Sequence, residues 1–293
     1  MIPRPFEYHA PNTTEDAIAL LSTYGPEAKL LAGGHSLLPM MKLRFAEPAH
    51  LIDLGRIAAL KGIRLEGREI RIGAMTCEND LIWSPLLRDR CPLLVETAGL
   101  ISDPQVRYRG TIGGDISHGD PGNDHPAVMM CLGALFVLRG PAGERVVPAE
   151  TYFQGTYATA IEPDEILTEI RIPVPPAGSG WCYAKLKRKT GDFATAAAAV
   201  LLELRDDCVE NVSITLTNLG ATALRAAAAE QHLRGSAFDE SAVNEAAQLV
   251  MSICDPVEDL RGSVAYKIAM AGEMARRALR TAATRARPQA YRT

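Results

Sequence analysis

Two short stretches hold the residues best suited to chemistry. AGGHS, at 32–36, and TIGGD, at 111–115, each place a glycine pair before a small polar side chain. Glycine lets the backbone reach positive φ and approach a ligand closely, and successive N–H groups in such a bend form a concavity for an anion. Ala32, Gly33, Gly34, His35 and Ser36 run into LLPMMK, which reads as a helix start, so a helix N-terminus would add a favourable dipole. Gly110, Thr111, Ile112, Gly113, Gly114 and Asp115 repeat the form, with the threonine hydroxyl as a further donor. One bend could cradle one phosphate; two could hold the two phosphates of a dinucleotide from opposite sides. Either alone reads equally well as a tight turn and nothing more. Gly33 and Gly114 are read as positive-φ positions, where valine would expel the ligand. Neither stretch fits G-x-G-x-x-G or the phosphate loop ending in Lys-Ser/Thr, which disfavours a nicotinamide Rossmann domain.

Other chemistry is sparse. His35 and His118 sit inside the motifs and read as loop residues rather than acid–base catalysts. The six cysteines, Cys77, Cys91, Cys131, Cys182, Cys208 and Cys254, lack the clustered spacing of a zinc knuckle, a redox pair or an iron–sulfur ligand set. They read as buried free thiols in a reducing cytoplasm, and no metal site is expected. A net charge of -4 offers no electrostatic case for nucleic acid or an anionic membrane. The longest apolar runs, such as ATAAAAVLL at 194–202, are too short to span a bilayer, and the opening MIPRPFEYHAP lacks the apolar core of a signal peptide.

The elements that must position the two stretches follow from local pattern. The chain's 293 residues allow about two domains. TTEDAIALLSTYG reads as a capped helix, KLLAGG as a strand entering the first bend, and HLIDL as another strand. GIRLEGREIRIGAM, at 62–75, alternates around Gly67 as a hairpin. ENDLIWS, PLLVETAGLIS and HPAVMMCLGA read as helices, LFVLRGPAGERVV as a second hairpin, and DEILTEIRIPVPP as a strand. PVPPAGSG, at 173–180, is the linker. Beyond it a meander of three strands precedes helices near 221–234, 239–254 and 263–282, and the basic C-terminal end should fray.

KLLAGGHSLLPMMKLR and RGTIGGDISHGDPGNDHPAV resemble the two flavin-binding signatures of the medium, FAD-binding subunits of molybdenum hydroxylases, with the aerobic carbon monoxide dehydrogenase branch as the best match. KLKRKTGDFATAAAAV at 185–200 resembles a third landmark, and the opening FEYHAP also fits. The resemblance implies an α+β fold. An FAD-binding domain of the vanillyl-alcohol-oxidase type would span 1–177, with subdomains at about 1–55 and 56–177, and a smaller flavoprotein domain would span 178–293. It also implies non-covalent FAD, with Lys29, Leu30, Leu31 and residues 32–36 gripping the diphosphate together with residues 110–115. Asp124 matches an acid that meets the ribityl or ribose region, and it reads equally as a helix cap. Leu167 and Phe193 match positions beside the flavin ring, and Lys185 one that donates to a flavin carbonyl. Ile101, Ser117 and Ile161 join the same set. Many relatives carry Asn where this chain has Asp115. A carboxylate there would repel a diphosphate, so the side chain either turns away or serves a polar network.

The implied activity is electron transfer. A large partner chain would carry the molybdenum cofactor and oxidise carbon monoxide, a small partner would carry two [2Fe–2S] clusters, and this chain would pass electrons from FAD to a quinone or other acceptor. A dimer of heterotrimers in the cytoplasm, or at the inner face of the membrane, goes with it. The alternatives are a flavin subunit serving a purine, aldehyde or aromatic carbonyl substrate, a stand-alone flavin oxidoreductase, and a nucleotide-binding protein without redox chemistry.

Overall fold

The structure is a computed structural model and describes residues 2–287. The basic end expected to fray runs beyond them. The chain opens with β1 (Glu7–His9) and α1 (Thr14–Tyr24). α1 begins where the Thr13 hydroxyl accepts from the Asp16 N–H, and it stops at Gly25, whose φ is 53°. Next come β2 (Ala28–Leu31), α2 (Leu37–Leu43) and β3 (His50–Asp53). The three strands form a parallel sheet in the order β1-β3-β2. The first glycine stretch therefore leaves β2 at the carboxyl edge of a parallel sheet, where open sheets of this kind bind ligands.

The hairpin expected over 62–75 is present as β4 (Ile63–Glu66) and β5 (Glu69–Gly73). Four helices follow: α3 (Glu78–Trp83), α4 (Pro85–Arg90), α5 (Pro92–Leu100) and α6 (Pro104–Arg107). α4 and α6 were not anticipated. Each is a single proline-led turn or so behind a side-chain cap, Ser84 or Asp103, too short to show an apolar period. The second glycine stretch departs from expectation. It is not a bend after a strand but the first turn of α7 (Ile112–His118), entered from α6 and capped by Thr111. α8 (Asp124–Cys131), β6 (Leu135–Gly140), β7 (Gly143–Pro148), α9 (Ala149–Tyr152), the ribbon β8 (Phe153–Gly155) with β9 (Ala158–Thr159), and β10 (Ile166–Pro173) complete this part. A five-stranded antiparallel sheet runs β4-β5-β10-β6-β7.

After the linker, β11 (Gly180–Leu186), β12 (Ala196–Arg205) and β13 (Cys208–Thr217) pair in order as the meander, and a two-residue β14 (Leu224–Arg225) adds a fourth strand to the three expected. α10 (Ala227–Leu233), α11 (Glu240–Ser252) and α12 (Val264–Ala286) follow. α12 packs on β11 and β12, while α8 packs on β12 and β13. Inward residues of β12 divide between two cores: Ala197 and Ala199 join the core with α8, whereas Ala196, Ala198 and Val200 join the core with α12. Cover on both faces explains why β12 reads as an unbroken apolar run rather than an alternating one. Small side chains let α12 lie close: a Cβ on Gly180 would meet the Ala282 carbonyl oxygen at 1.8 Å. The chain thus adopts the expected α+β class.

Candidate functional site

The two glycine stretches touch. A Cβ on Gly33 would lie 2.4 Å from the Arg109 carbonyl oxygen and 2.7 Å from the Gly110 Cα, and one on Gly114 would lie 3.3 Å from the Ala32 Cβ. The need for glycine differs from that inferred above. Gly34 has φ 77°, but neither Gly33 nor Gly114 lies in the positive-φ region; both are glycine because backbone meets backbone or a capping side chain there. Gly113 packs likewise, with its virtual Cβ 2.5 Å from the Ala74 Cβ.

The donors are unequal as well. In the second stretch the Ile112, Gly113 and Asp115 N–H groups donate to the carbonyls of Thr76, Ala74 and Thr111, and the Gly114 N–H donates to the Thr111 Oγ1. These bonds build the N-terminus of α7 and leave little backbone for a ligand. The Thr111 hydroxyl hydrogen remains available. In the first stretch the N–H groups of Gly33, Gly34, His35 and Ser36 donate to no protein acceptor among the described residues. The His35 ring instead braces the loop, its Nδ1 3.0 Å from the Gly33 carbonyl oxygen. Unpaired N–H groups grouped at a cleft wall are anion donors in waiting.

A cleft of about 720 Å³ runs past both stretches, and every residue proposed for the site lines it except Leu31 and Ile112. The volume is that of a cofactor site. Leu31 packs where a Gly34 side chain would stand, so it shapes the bend from behind. Ile112 is fully buried in the main core, so its role is packing. Ile101, Ser117 and Ile161 line the cleft, Ser117 from an exposed position.

Away from the glycines, Asp124 and Lys185 are joined by a 2.5 Å hydrogen bond, and the Lys185 side chain is only 2% exposed. Tyr183 donates its hydroxyl to the other Asp124 oxygen at 2.6 Å and contacts Thr217. Burial, reinforced by the Asp124 charge, pushes the Tyr183 hydroxyl well above its ordinary pKa, so it stays a donor. Asp124 does not cap α8: Asn123 holds the cap position, and the Asp124 carboxylate serves Lys185 and Tyr183 instead. Phe193 stands half exposed at the cleft, preceded by Asp192 and by Gly191 at φ 82°. The Asp192 carboxylate accepts from Arg188, from Arg261 and from the Phe193 N–H, while the Arg261 guanidinium lies 5.5 Å from the Phe193 ring centroid. Burial would raise the Asp192 carboxyl, but the two arginines outweigh it and hold it at about 2.

Behind α7 lies a buried group that the sequence did not announce. His125 Nε2 is 2.7 Å from Glu78 Oε2, with both side chains almost wholly buried. Burial would lower the imidazole, but the Glu78 carboxylate outweighs it and holds His125 at about 9. Burial also pushes the nearby Asp115 carboxyl up to about 8, against the pull of His125. Asp115 Oδ1 and His125 Nδ1 are both buried without a hydrogen-bond partner. Glu78 and His125 lie 47 residues apart and share no motif, so only the fold pairs them.

Residues 4–175 match the family described as the FAD binding domain in molybdopterin dehydrogenase, and residues 181–282 match the CO dehydrogenase flavoprotein C-terminal domain. The carbon monoxide dehydrogenase medium chain of Hydrogenophaga pseudoflava is 58% identical over 96% of this chain and 98% of its own length. The corresponding medium chain of Afipia carboxidovorans is 53% identical over 98% and 100%. This chain belongs to the FAD-binding medium chains of the molybdopterin dehydrogenases. A solved structure of carbon monoxide dehydrogenase from Hydrogenophaga pseudoflava, which lacks the Mo-pyranopterin moiety of its cofactor, superposes with a TM-score of 0.96 at 60% identity, covering 97% of this chain and 99% of that one.

The cleft fits the FAD that defines a medium chain of this family. The free N–H row at 33–36 and the Thr111 hydroxyl suit a diphosphate, and Phe193 offers an aromatic face. Burial, which pushes the Asp115 carboxyl up, favours its neutral form, and that form would not repel the diphosphate. The six cysteines are free, and none belongs to a group of three or more metal-ligating side chains among the described residues; the expectation of buried thiols holds for Cys91, Cys131 and Cys182, whereas Cys208 is exposed and Cys77 and Cys254 are half-buried. Because Arg261 fixes Asp192, and Asp192 fixes the Phe193 backbone, Arg261→Ala is expected to loosen Phe193 and weaken FAD binding roughly fivefold, with Arg261→Lys failing to restore it. Titration of flavin-free protein followed by flavin fluorescence measures this; unchanged affinity would remove Arg261 from the site.

Proposed function

We propose that this chain is the FAD-carrying electron-transfer subunit of an aerobic carbon monoxide dehydrogenase. The observation that carries the reading is likeness to carbon monoxide dehydrogenase medium chains along nearly the whole length, in a fold whose glycine stretches abut at one cleft. A large molybdopterin-bearing partner oxidises carbon monoxide with water to carbon dioxide. A small partner with two [2Fe–2S] clusters relays the electrons, and this chain hands them to an external acceptor such as a quinone. When bound, FAD supplies the change from single-electron intake to paired release. The chain's own residues bind and orient it: residues 29–36 and 110–115 seat the diphosphate, the Asp124–Lys185 pair and Ile101, Ile161 and Leu167 shape the inner wall, and Phe193 shields the mouth from water.

The same reading divides the chain at 177/178, with subdomains meeting near residue 55, supported by the separate sheets on either side of each boundary. It assembles as a dimer of heterotrimers in the cytoplasm, with a seat at the inner face of the membrane when the acceptor is a lipid quinone. No helix among the described residues is long and apolar enough to cross a membrane.

Co-expression with the two partner chains tests the reading. The complete complex is expected to reduce a quinone analogue with carbon monoxide. The complex carrying Gly33→Val should reduce its iron–sulfur clusters but not the quinone. Turnover of small alcohols or aldehydes by this chain alone would refute the proposal.

A further inference from the structure

The N-terminal sheet brings together three side chains that the flavin site does not use. Glu7 and His9 are two residues apart on β1 and so share one face of the strand. In the parallel pairing His50 of β3 lies opposite Glu7, on the same face. Tyr8, between them, points to the other face, where its hydroxyl donates to Asp53 at 2.5 Å. The result is a triangle of ligand atoms. His9 Nε2 to His50 Nδ1 is 3.2 Å, His50 Nδ1 to Glu7 Oε2 is 3.5 Å, and His9 Nε2 to Glu7 Oε2 is 4.0 Å.

We propose that Glu7, His9 and His50 form a binding site for a divalent transition ion of the zinc class. A point roughly 2.1 Å from all three atoms exists between them, which matches zinc bond lengths of about 2.0–2.2 Å to imidazole nitrogen and carboxylate oxygen. Two imidazoles and one carboxylate are the donor set that zinc, nickel and copper favour over calcium or magnesium. The rings are already held. Tyr24 of α1 stacks on His50 with centroids 3.7 Å apart and planes at 11°, and on His9 at 5.1 Å. This fixes the imidazoles while the carboxylate reaches into solvent: the Glu7 side chain is 71% exposed, against 21% and 15% for the two histidines. An ion can therefore enter from solvent, draw Glu7 inward and keep a fourth position for water. Bound there, it fastens the short edge strand β1 to β3, which in turn pairs with β2, the strand that leads into the first glycine stretch. Sequence spacing hides the site, because His9 and His50 are 41 residues apart and only strand register unites them.

The test uses the full chain without an affinity tag, stripped with chelator and titrated with Co²⁺, then with Zn²⁺ in competition. One Co²⁺ per chain with visible ligand-field absorption, bleached by Zn²⁺, is expected. Zn²⁺ at about 100-fold above Kd should raise Tm by about 5 °C or more. Two variants spare the fold. His50→Phe keeps a ring against Tyr24 and should abolish the stoichiometric binding. Glu7→Gln, at an exposed carboxylate, should weaken it at least about tenfold, since even an indirect supporting group costs that much. Absence of a stoichiometric ion, equal binding by His50→Phe, or unchanged affinity in Glu7→Gln would each overturn the site; in that case the two imidazoles share a hydrogen bond and nothing more.

Discussion

Gly33→Val is expected to yield a folded chain that purifies without its flavin. The added Cβ would lie 2.4 Å from the Arg109 carbonyl oxygen, 2.7 Å from the Gly110 Cα and 2.9 Å from the Arg109 carbonyl carbon. All three are backbone atoms, so no side chain can swing aside. The two loops must separate, and overpacking of this kind costs about 1–3 kcal/mol. The free N–H groups of residues 33–36 work only when the loop is seated against residues 109–111, so the strain falls on the bound state. A loss of roughly 10- to 100-fold in FAD affinity follows. Gly114→Val should act in the same direction but less, since its Cβ meets Thr111 Oγ1 at 2.9 Å and the Ala32 Cβ at 3.3 Å. Gly99→Ala, with nothing within 4 Å, is the control that should keep its flavin. The ratio of flavin to protein absorbance gives the answer. Stoichiometric flavin in Gly33→Val would break the link between loop contact and binding.

His125→Ala is expected to cause the largest loss of stability. It leaves Glu78, 2% exposed, in the core with its 2.7 Å partner gone. Removing one member of a buried ion pair costs about 3–5 kcal/mol, largely because the remaining charge is stranded. In a chain of this size that is a fall in Tm of about 6–20 °C. The double variant His125→Ala with Glu78→Ala should be less destabilised than the two single effects added together. The pH dependence has a definite sign. His125 is raised from 6.5 to about 9 in the folded chain, so its contribution is fully present below pH 6.5 and is lost as pH rises through 9. Asp115, raised from 3.8 to about 8, makes the folded chain bind more protons than the unfolded one between those values, so it too lowers stability as pH rises through that window. Above about 8 the ionised Asp115 should also repel the diphosphate and weaken FAD binding. Chemical denaturation and FAD titration between pH 6 and 9.5 would show both trends; stability that climbs across that range would contradict the pairing.

Much of this protein was legible before its structure. Local pattern was enough for α1, the hairpin at 62–75, the meander and the last two helices, because caps, alternation and turn residues act over a few positions; the helix expected near 221–234 begins only at Ala227, after β14. The two glycine stretches were legible too, as unusual backbone that a ligand could explain. Their mechanism was not. TIGGD looked like a bend because glycines usually mark one, whereas the Thr111 cap and the neighbouring carbonyls of Ala74 and Thr76 make it the first turn of α7. Lys185 was legible only as a position resembling one that donates to a flavin carbonyl, and the fold decided that its buried ammonium pairs with Asp124.

The amino-acid order by itself determined the element types and the places where backbone must come close to something, since propensity, capping and glycine's missing Cβ are local properties. Only the tertiary structure decided what lies close to what. The contact of Gly33 with Gly110, the Glu78–His125 pair, the Arg261 hold on Asp192 and the Glu7–His9–His50 triangle all join residues distant in sequence. Such contacts form when sheets and helices bury their apolar faces, and that burial is a property of the whole packing rather than of any stretch of chain.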